Sequence, residues 1–272
     1  MLKYRLITAL VLIPLLFWSI ITLPFVYFSV LMAFFTALSA WEWSKLIGFK
    51  NKVVRFVYMM AVLLGVYFSS WLPSIFFLAI GFFIWIWAAL AVWRYGHNRS
   101  PLGFQRPEVA VVVGFFVLVA CWLSLVTLRI APSVMGSIWL TSALLIIWAT
   151  DTGAYFAGKL WGKHPLIPKV SPKKTWEGFF GGLVLGLIVA IVVSFFFPFT
   201  VQERFVFFGI AVIASLLSVV GDLTVSLFKR QSGVKDSGQM LPGHGGILDR
   251  VDSIAAGVVV FALGLLFFGF LQ

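Results

Sequence analysis

The stretch from Ser226 to Asp252, SLFKRQSGVKDSGQMLPGHGGILDRVD, concentrates the residues of this 272-residue chain that could do chemistry. It holds Lys229, Arg230, Lys235 and Arg250, the aspartates Asp236, Asp249 and Asp252, His244 and the turn PGHGG; Asp222 lies four residues upstream. The surroundings are apolar: 11% of the chain is charged and 62% hydrophobic. Charged side chains are costly beside hydrocarbon, so a dense polar cluster needs a functional reason. Cations, carboxylates and a flexible backbone together are what phosphate and metal-ion chemistry requires.

Each residue carries a plainer reading beside the chemical one. Asp222, in SLLSVVGDLTVSLFKR, sits about 10 Å below the end of its helix at 1.5 Å rise per residue. A carboxylate at that depth faces a polar cavity or pairs with a cation of another helix. Asp249 and Asp252 are three apart, on one face of a helix beginning near Gly246. Helix-start charge compensation explains Asp252 as well as chemistry does, but explains the crowded Asp249 less well. Asp222 and Asp249 approach one rim from two helices, and a pair of hard oxygen ligands with room for water and phosphate suits Mg²⁺. No Cys/His set has zinc spacing. Gly243, Gly245 and Gly246 let backbone N–H groups approach phosphate oxygens, next to a helix start; otherwise the turn is a plain connector. His244 is a phosphate donor, an acid/base, or a structural histidine. Lys229, Arg230, Lys235 and Arg250 can neutralise a triphosphate or a lipid phosphate, or mark helix ends on the positive side.

A second constellation is SPKKTWEG, from Ser171 to Gly178. Lys173 and Lys174 are phosphate candidates, Thr175 a helix N-cap and Trp176 an interfacial anchor. Asp151, in IIWATDTGAYFAGK, resembles Asp222 in depth and either lines the same cavity or pairs helices. Glu42 and Glu108 lie at span ends, where snorkelling or helix-end roles explain both.

The elements that must position these groups are membrane helices. A mean hydropathy of +1.08 with 30 Phe and 12 Trp excludes an ordinary soluble domain. Apolar runs long enough for a hydrocarbon core of about 30 Å are expected near 5–22, 24–41, 54–70, 72–93, 108–128, 134–158, 178–198, 204–228 and 252–271. The expected class is therefore all-α, a polytopic membrane protein of about nine transmembrane helices. The start, MLKYRLITALVLIPLLFW, reads as a retained first helix that forms a tight hairpin or an incomplete crossing with the second. The connections after spans two, four, six and eight hold 16 of the 20 Lys and Arg; Lys3, Arg5, Arg129 and Arg204 are counted on the other side. That asymmetry places the basic side, and the loops 159–177 and 229–251, in the cytoplasm of a cell-membrane protein. The net charge of +11 then reflects orientation and anionic partners rather than nucleic acid. Residues 1–106 read as scaffold helices and 107–272 as the catalytic region. The sole cysteine, Cys121, allows no intrachain disulfide.

The pattern from Ser226 to Asp252, together with SPKKTWEG and TDTGAYFAGK, resembles the phosphatidate cytidylyltransferase (CDP-diacylglycerol synthase) family. The resemblance is strong over about 145–272; before that the chain matches only in being hydrophobic. It implies an integral enzyme of the inner membrane that joins CTP and phosphatidic acid into CDP-diacylglycerol and pyrophosphate. It also implies Mg²⁺, with a monovalent cation such as K⁺ assisting, and a homodimer. The family's metal-binding aspartates fall on Asp222 and Asp249, and its basic and glycine positions on Lys229, Arg230, Lys235, His244, Gly245, Gly246 and Arg250. Ser171, Lys173, Lys174, Asp236, Gly243 and Asp151 complete the expected substrate site. An ion-coupled lipid transporter using Asp151 and Asp222, or another CTP-dependent lipid kinase or cytidylyltransferase, is the competing expectation.

Overall fold

A computed structural model describes residues 2–130, 134–240 and 245–271, with only the backbone of 2–9 and 134. The described elements are α1 (Leu2–Thr22), α2 (Phe25–Leu46), α3 (Lys52–Ser69), α4 (Ser74–Gly96), α5 (Pro107–Ile130), α6 (Val134–Trp161), β1 (Pro165–Ile167), β2 (Ser171–Thr175), α7 (Trp176–Ser194), α8 (Val201–Gln231) and α9 (Leu248–Phe267). Seven of these helices, α2 to α5 and α7 to α9, are long and apolar enough to cross a membrane. The apolar part of α1, Leu10–Thr22, is shorter. Helix α6 has 28 residues, interrupted by the polar run Thr150 to Thr152.

Local signals set several boundaries. Asn51 caps α3 by accepting from the Val53 N–H, so this helix starts two residues before the expected span. Thr200 and Glu203 form a reciprocal capping box at the start of α8. Thr175 caps α7 by accepting from the Gly178 N–H at 3.1 Å, as its position suggests. Helix α8 continues past Lys229 and Arg230 to Gln231, because long cationic side chains carry the helix end beyond the apolar zone. Within the 159–177 loop the chain forms a small antiparallel hairpin, pairing Pro165 with Thr175 and Ile167 with Ser171.

Helix α9 is the hub, packing against α2, α4, α5, α6 and α8, and two thirds of its apolar window is buried. Close approach needs small residues where helices cross. At Gly221 a Cβ would collide with the Asp252 carbonyl oxygen, so α8 and α9 touch at the backbone. A Cβ at Gly182 would lie 2.6 Å from the Thr150 carbonyl, which locks α7 against α6. These two contacts bring the ends of four helices together.

The orphan carbonyls at the end of α1 are satisfied by other helices. Arg129 Nε donates to Ile20 O at 2.7 Å, and Ser137 Oγ donates to the same oxygen at 3.0 Å. Helix α1 therefore ends where α5 ends and α6 starts. Its beginning lies at the opposite end of the bundle, with the ends of α2, α6 and α8. The backbone at Lys3 and Arg5 thus starts at the basic end, contrary to their assignment in the sequence count.

Candidate active site at the basic end

One cavity of about 810 Å³ opens where these helix ends converge. Helix α6 contributes Asp151, the hairpin Lys173 and Lys174, α8 Asp222 and Lys229, the following loop Asp236, and α9 Asp249, Arg250 and Asp252. With Lys159 the lining carries five carboxylates and five cationic side chains. That balance would repel a bare polyphosphate less than a carboxylate-only site, yet leaves little net attraction for it. A polyphosphate accompanied by a metal cation suits it better.

Two ion pairs organise the lining. Lys174 Nζ lies 2.7 Å from Asp222 Oδ2, joining the hairpin to α8. Lys229 Nζ lies 2.8 Å from Asp249 Oδ1, joining α8 to α9. The second oxygen of Asp249 accepts from the backbone N–H groups of Ser237 (2.9 Å) and Gly246 (3.0 Å). Asp249 therefore clamps the two ends of the glycine-rich connection, and its side chain is only 6% exposed. Gly245 adopts φ +85°, a conformation open to glycine without strain, just before that clamp. Asp222 is looser: its side chain is 33% exposed, and its Oδ1 receives only a long 3.3 Å contact from Ser226 Oγ.

The donor chemistry fits a hard divalent cation. Magnesium is commonly held by one or two carboxylates with the remaining positions filled by substrate phosphate and water. Among the described residues no three metal-ligating side chains converge, and Asp222 and Asp249 are each matched with a lysine instead. Asp222 is the more available ligand, whereas a cation on Asp249 would take the place of the Lys229 ammonium.

Glu42 is the residue that sequence reasoning missed. It is 2% exposed, far from the snorkelling position expected of a span end. Its Oε2 accepts from Ser237 Oγ at 3.0 Å and from the Leu248 N–H at 2.9 Å. Gly238 and Gly246 pack so tightly on its carboxyl group that a Cβ at either would collide with it. Among the described residues Glu42 Oε1 has no hydrogen-bond partner, although it is buried. The available signal was its setting, AWEWSK, where Trp43 anchors α2 by donating to Ala110 O at 2.9 Å. An anchored helix end holds its neighbouring carboxylate inward.

The remaining expected residues divide. Asp151 reaches the cavity and accepts from Ser253 Oγ at 2.8 Å, so the lining and helix-pairing readings both apply. Asp252 is buried and lines the cavity, with Oδ1 accepting from the Ser253 N–H at 2.8 Å. Arg230 stands apart from the lining; its Nε donates to Val170 O at 3.1 Å and ties α8 to the hairpin turn. Lys235 and Ser171 also lie away from the lining, Lys235 exposed and Ser171 half-buried at the start of β2. Gly243 and His244 fall outside the described residues. Glu177 serves the hairpin: its Oε2 accepts from the Lys163 and His164 N–H groups, and its Oε1 lies 2.6 Å from His164 Nδ1.

Known proteins resemble this chain over nearly its whole length. The sequence profile described as "Cytidylyltransferase family" matches residues 3–268. A phosphatidate cytidylyltransferase of Pseudomonas aeruginosa is 36% identical over 264 residues, covering 96% of each chain. One of Haemophilus influenzae is 34% identical over 285 residues, covering 96% of this chain and 98% of its own. One of Staphylococcus aureus is 55% identical over 111 residues, 41% of this chain and 42% of its own.

Proposed function

The chain belongs to the cytidylyltransferase family, and from that premise we propose how its basic end makes CDP-diacylglycerol from CTP and phosphatidic acid. The observation that carries the reading is the cavity in which Asp222, Asp249, Lys174, Lys229 and Arg250 meet. An oxygen of the lipid phosphate attacks the α-phosphorus of CTP. The new phosphorus–oxygen bond forms as the bond to the α–β bridging oxygen breaks, and pyrophosphate leaves with that electron pair. A phosphate monoester is already anionic near neutral pH, so no strong general base is required; positioning and charge neutralisation supply the catalysis.

Asp222 and Asp249 are the proposed ligands for Mg²⁺, which when bound supplies positive charge to the triphosphate. Lys174 and Lys229, released from those carboxylates, turn to the phosphates. Lys173 stands on the exposed edge of the hairpin, positioned for the leaving pyrophosphate. Arg250 stands at the α9 start for the lipid phosphate. Of the described glycines in the connection, Gly246 gives its N–H to Asp249. The asymmetry of Lys and Arg supports a cytoplasmic position for this end, where CTP is, in an inner-membrane protein of about nine crossings. A homodimer is the expected assembly.

The test is the product. Purified protein incubated with CTP, Mg²⁺ and phosphatidic acid should yield CDP-diacylglycerol by mass spectrometry, and omission of Mg²⁺ should abolish it. A phosphorylated polyprenol as the only product from a mixed lipid extract would instead make this a lipid kinase.

A further inference from the structure

The start of α9 carries Asp249, Arg250 and Asp252 into the polar cavity, yet its own N-cap residue, Ile247, has no side-chain oxygen to offer the first helical N–H. The first N–H groups of a helix have no partner within it. A polar cap residue normally meets one of them. Here the cap comes from α2. Glu42 Oε2 accepts from the N–H of Leu248, the first residue of α9, at 2.9 Å and across 206 positions of chain. The same oxygen accepts from Ser237 Oγ at 3.0 Å. Glu42 is buried and lies outside the cavity lining, so it meets both segments from the dry side.

The residues around Glu42 are themselves pinned. Arg55 of α3 donates from Nη2 to Trp41 O at 2.8 Å and from Nε to Ser44 Oγ at 3.1 Å. Trp43 donates to Ala110 O on α5 and meets Phe228 of α8 edge to face, with ring centroids 4.9 Å apart. Three other helices thus hold this turn of α2, and the Glu42 carboxyl group is a fixed point for the chain arriving at α9. Glu42 and Asp249 grip the same two segments. Asp249 Oδ2 accepts from the Ser237 and Gly246 N–H groups, while Glu42 takes the Ser237 hydroxyl and the Leu248 N–H and packs on Gly246. Of the two, only Asp249 lines the cavity. With Oδ2 committed to the segment ends, Oδ1, now on Lys229 Nζ, is the oxygen left for a cation. Where Oδ1 points depends on where Ser237 and Gly246 stand, and Glu42 fixes both.

We infer that Glu42 is a positioning residue for the reaction: by capping α9 from α2 it sets the orientation of Asp249, and with it the affinity of the cavity for a divalent cation together with the nucleotide. The inference rests on the metal and CTP reading above. It assigns part of that affinity to a residue far from the signature and outside the cavity.

The quantity to measure is the Mg²⁺ concentration giving half the maximal effect at saturating CTP. It is read twice, from CDP-diacylglycerol formation and from the thermal stabilisation that Mg²⁺ and CTP give the purified protein in detergent without lipid. Glu42→Ala should raise it by about tenfold or more in both readouts, the scale for losing a group that orients a metal ligand. Glu42→Gln keeps an acceptor and should restore most of the wild-type value. Thr200→Ala, which removes the cap at the far end of α8, should lower stability and leave the Mg²⁺ requirement unchanged. An unchanged requirement in Glu42→Ala, or an equal rise in Thr200→Ala, overturns the proposal, because lost stability alone would then account for the variant. If Glu42→Ala does not fold, Ser237→Ala decides. It removes one donor to Glu42 and leaves the Leu248 N–H in place, so the requirement should rise by a smaller factor, and no rise overturns the proposal. If the wild type makes no CDP-diacylglycerol but its stabilisation by Mg²⁺ and CTP shifts in Glu42→Ala, the activity reading fails and the positioning role stands. A wild type that responds to Mg²⁺ and CTP in neither readout overturns both.

Discussion

Asp249 accepts from three donors, while Asp222 has one close partner and a long contact, and this difference separates their variants. Asp222→Asn and Asp249→Asn should each lower CTP-dependent turnover by on the order of a hundredfold or more, the scale for losing one preorganised charge contact. Only Asp249→Asn should also lower thermal stability in detergent, by about 3 kcal/mol, because it breaks a buried pair and strands Lys229. Near-normal activity of Asp222→Asn would sink the metal assignment. Glu42 gives the second contrast. Glu42→Gln keeps an acceptor for Leu248 and Ser237, whereas Glu42→Ala leaves both buried donors unmet, at about 1–3 kcal/mol each. Unfolding temperature should fall clearly for the alanine variant and little for the glutamine variant. Asp222 and Asp249 were legible because carboxylates in apolar runs are conspicuous. Glu42 was not, because a carboxylate at a span end looks the same whether it faces solvent or a loop that arrives from far along the chain.

Helices place these residues by how closely they cross. Gly221 sets the α8–α9 contact beside Asp222, so Gly221→Ala should cost about 1–3 kcal/mol by overpacking and should also depress turnover, as Asp222 moves away from Asp249. Thr200→Ala at the far end of the same helix is the control. Loss of its capping box should cost about 0.5–2 kcal/mol with specific activity retained. Equal activity losses in the two variants would mean that α8 transmits strain along its whole length. The helices themselves could be read from hydropathy, and Thr175 as a cap from its position. The hairpin at 165–175 could not, since three- and five-residue strands in a basic loop carry too little alternation to register.

Over the whole molecule, an α1 that starts at the basic end agrees with the charge asymmetry. Cysteine labelling checks the orientation, because the native Cys121 is buried and should stay silent. Lys235→Cys, after α8, should react with an impermeant maleimide only from the cytoplasmic face, and Trp71→Cys, in the α3–α4 turn, only from the opposite face. The reverse pattern would place the active site outside. The division of the chain into scaffold and catalytic halves is crossed by Glu42, which reaches residues 195 and 206 positions away. The amino-acid sequence by itself determined that this is a bundle of membrane helices with its chemistry gathered at the basic end, because composition and local spacing report directly on which segments water and hydrocarbon accept. Only the tertiary structure decided which lysine neutralises which aspartate, that Glu42 supports the ends of the glycine-rich connection, and that an apolar cavity lies beside the polar one. Those facts depend on where helices distant in sequence cross, and a crossing is set by side-chain packing on both partners at once.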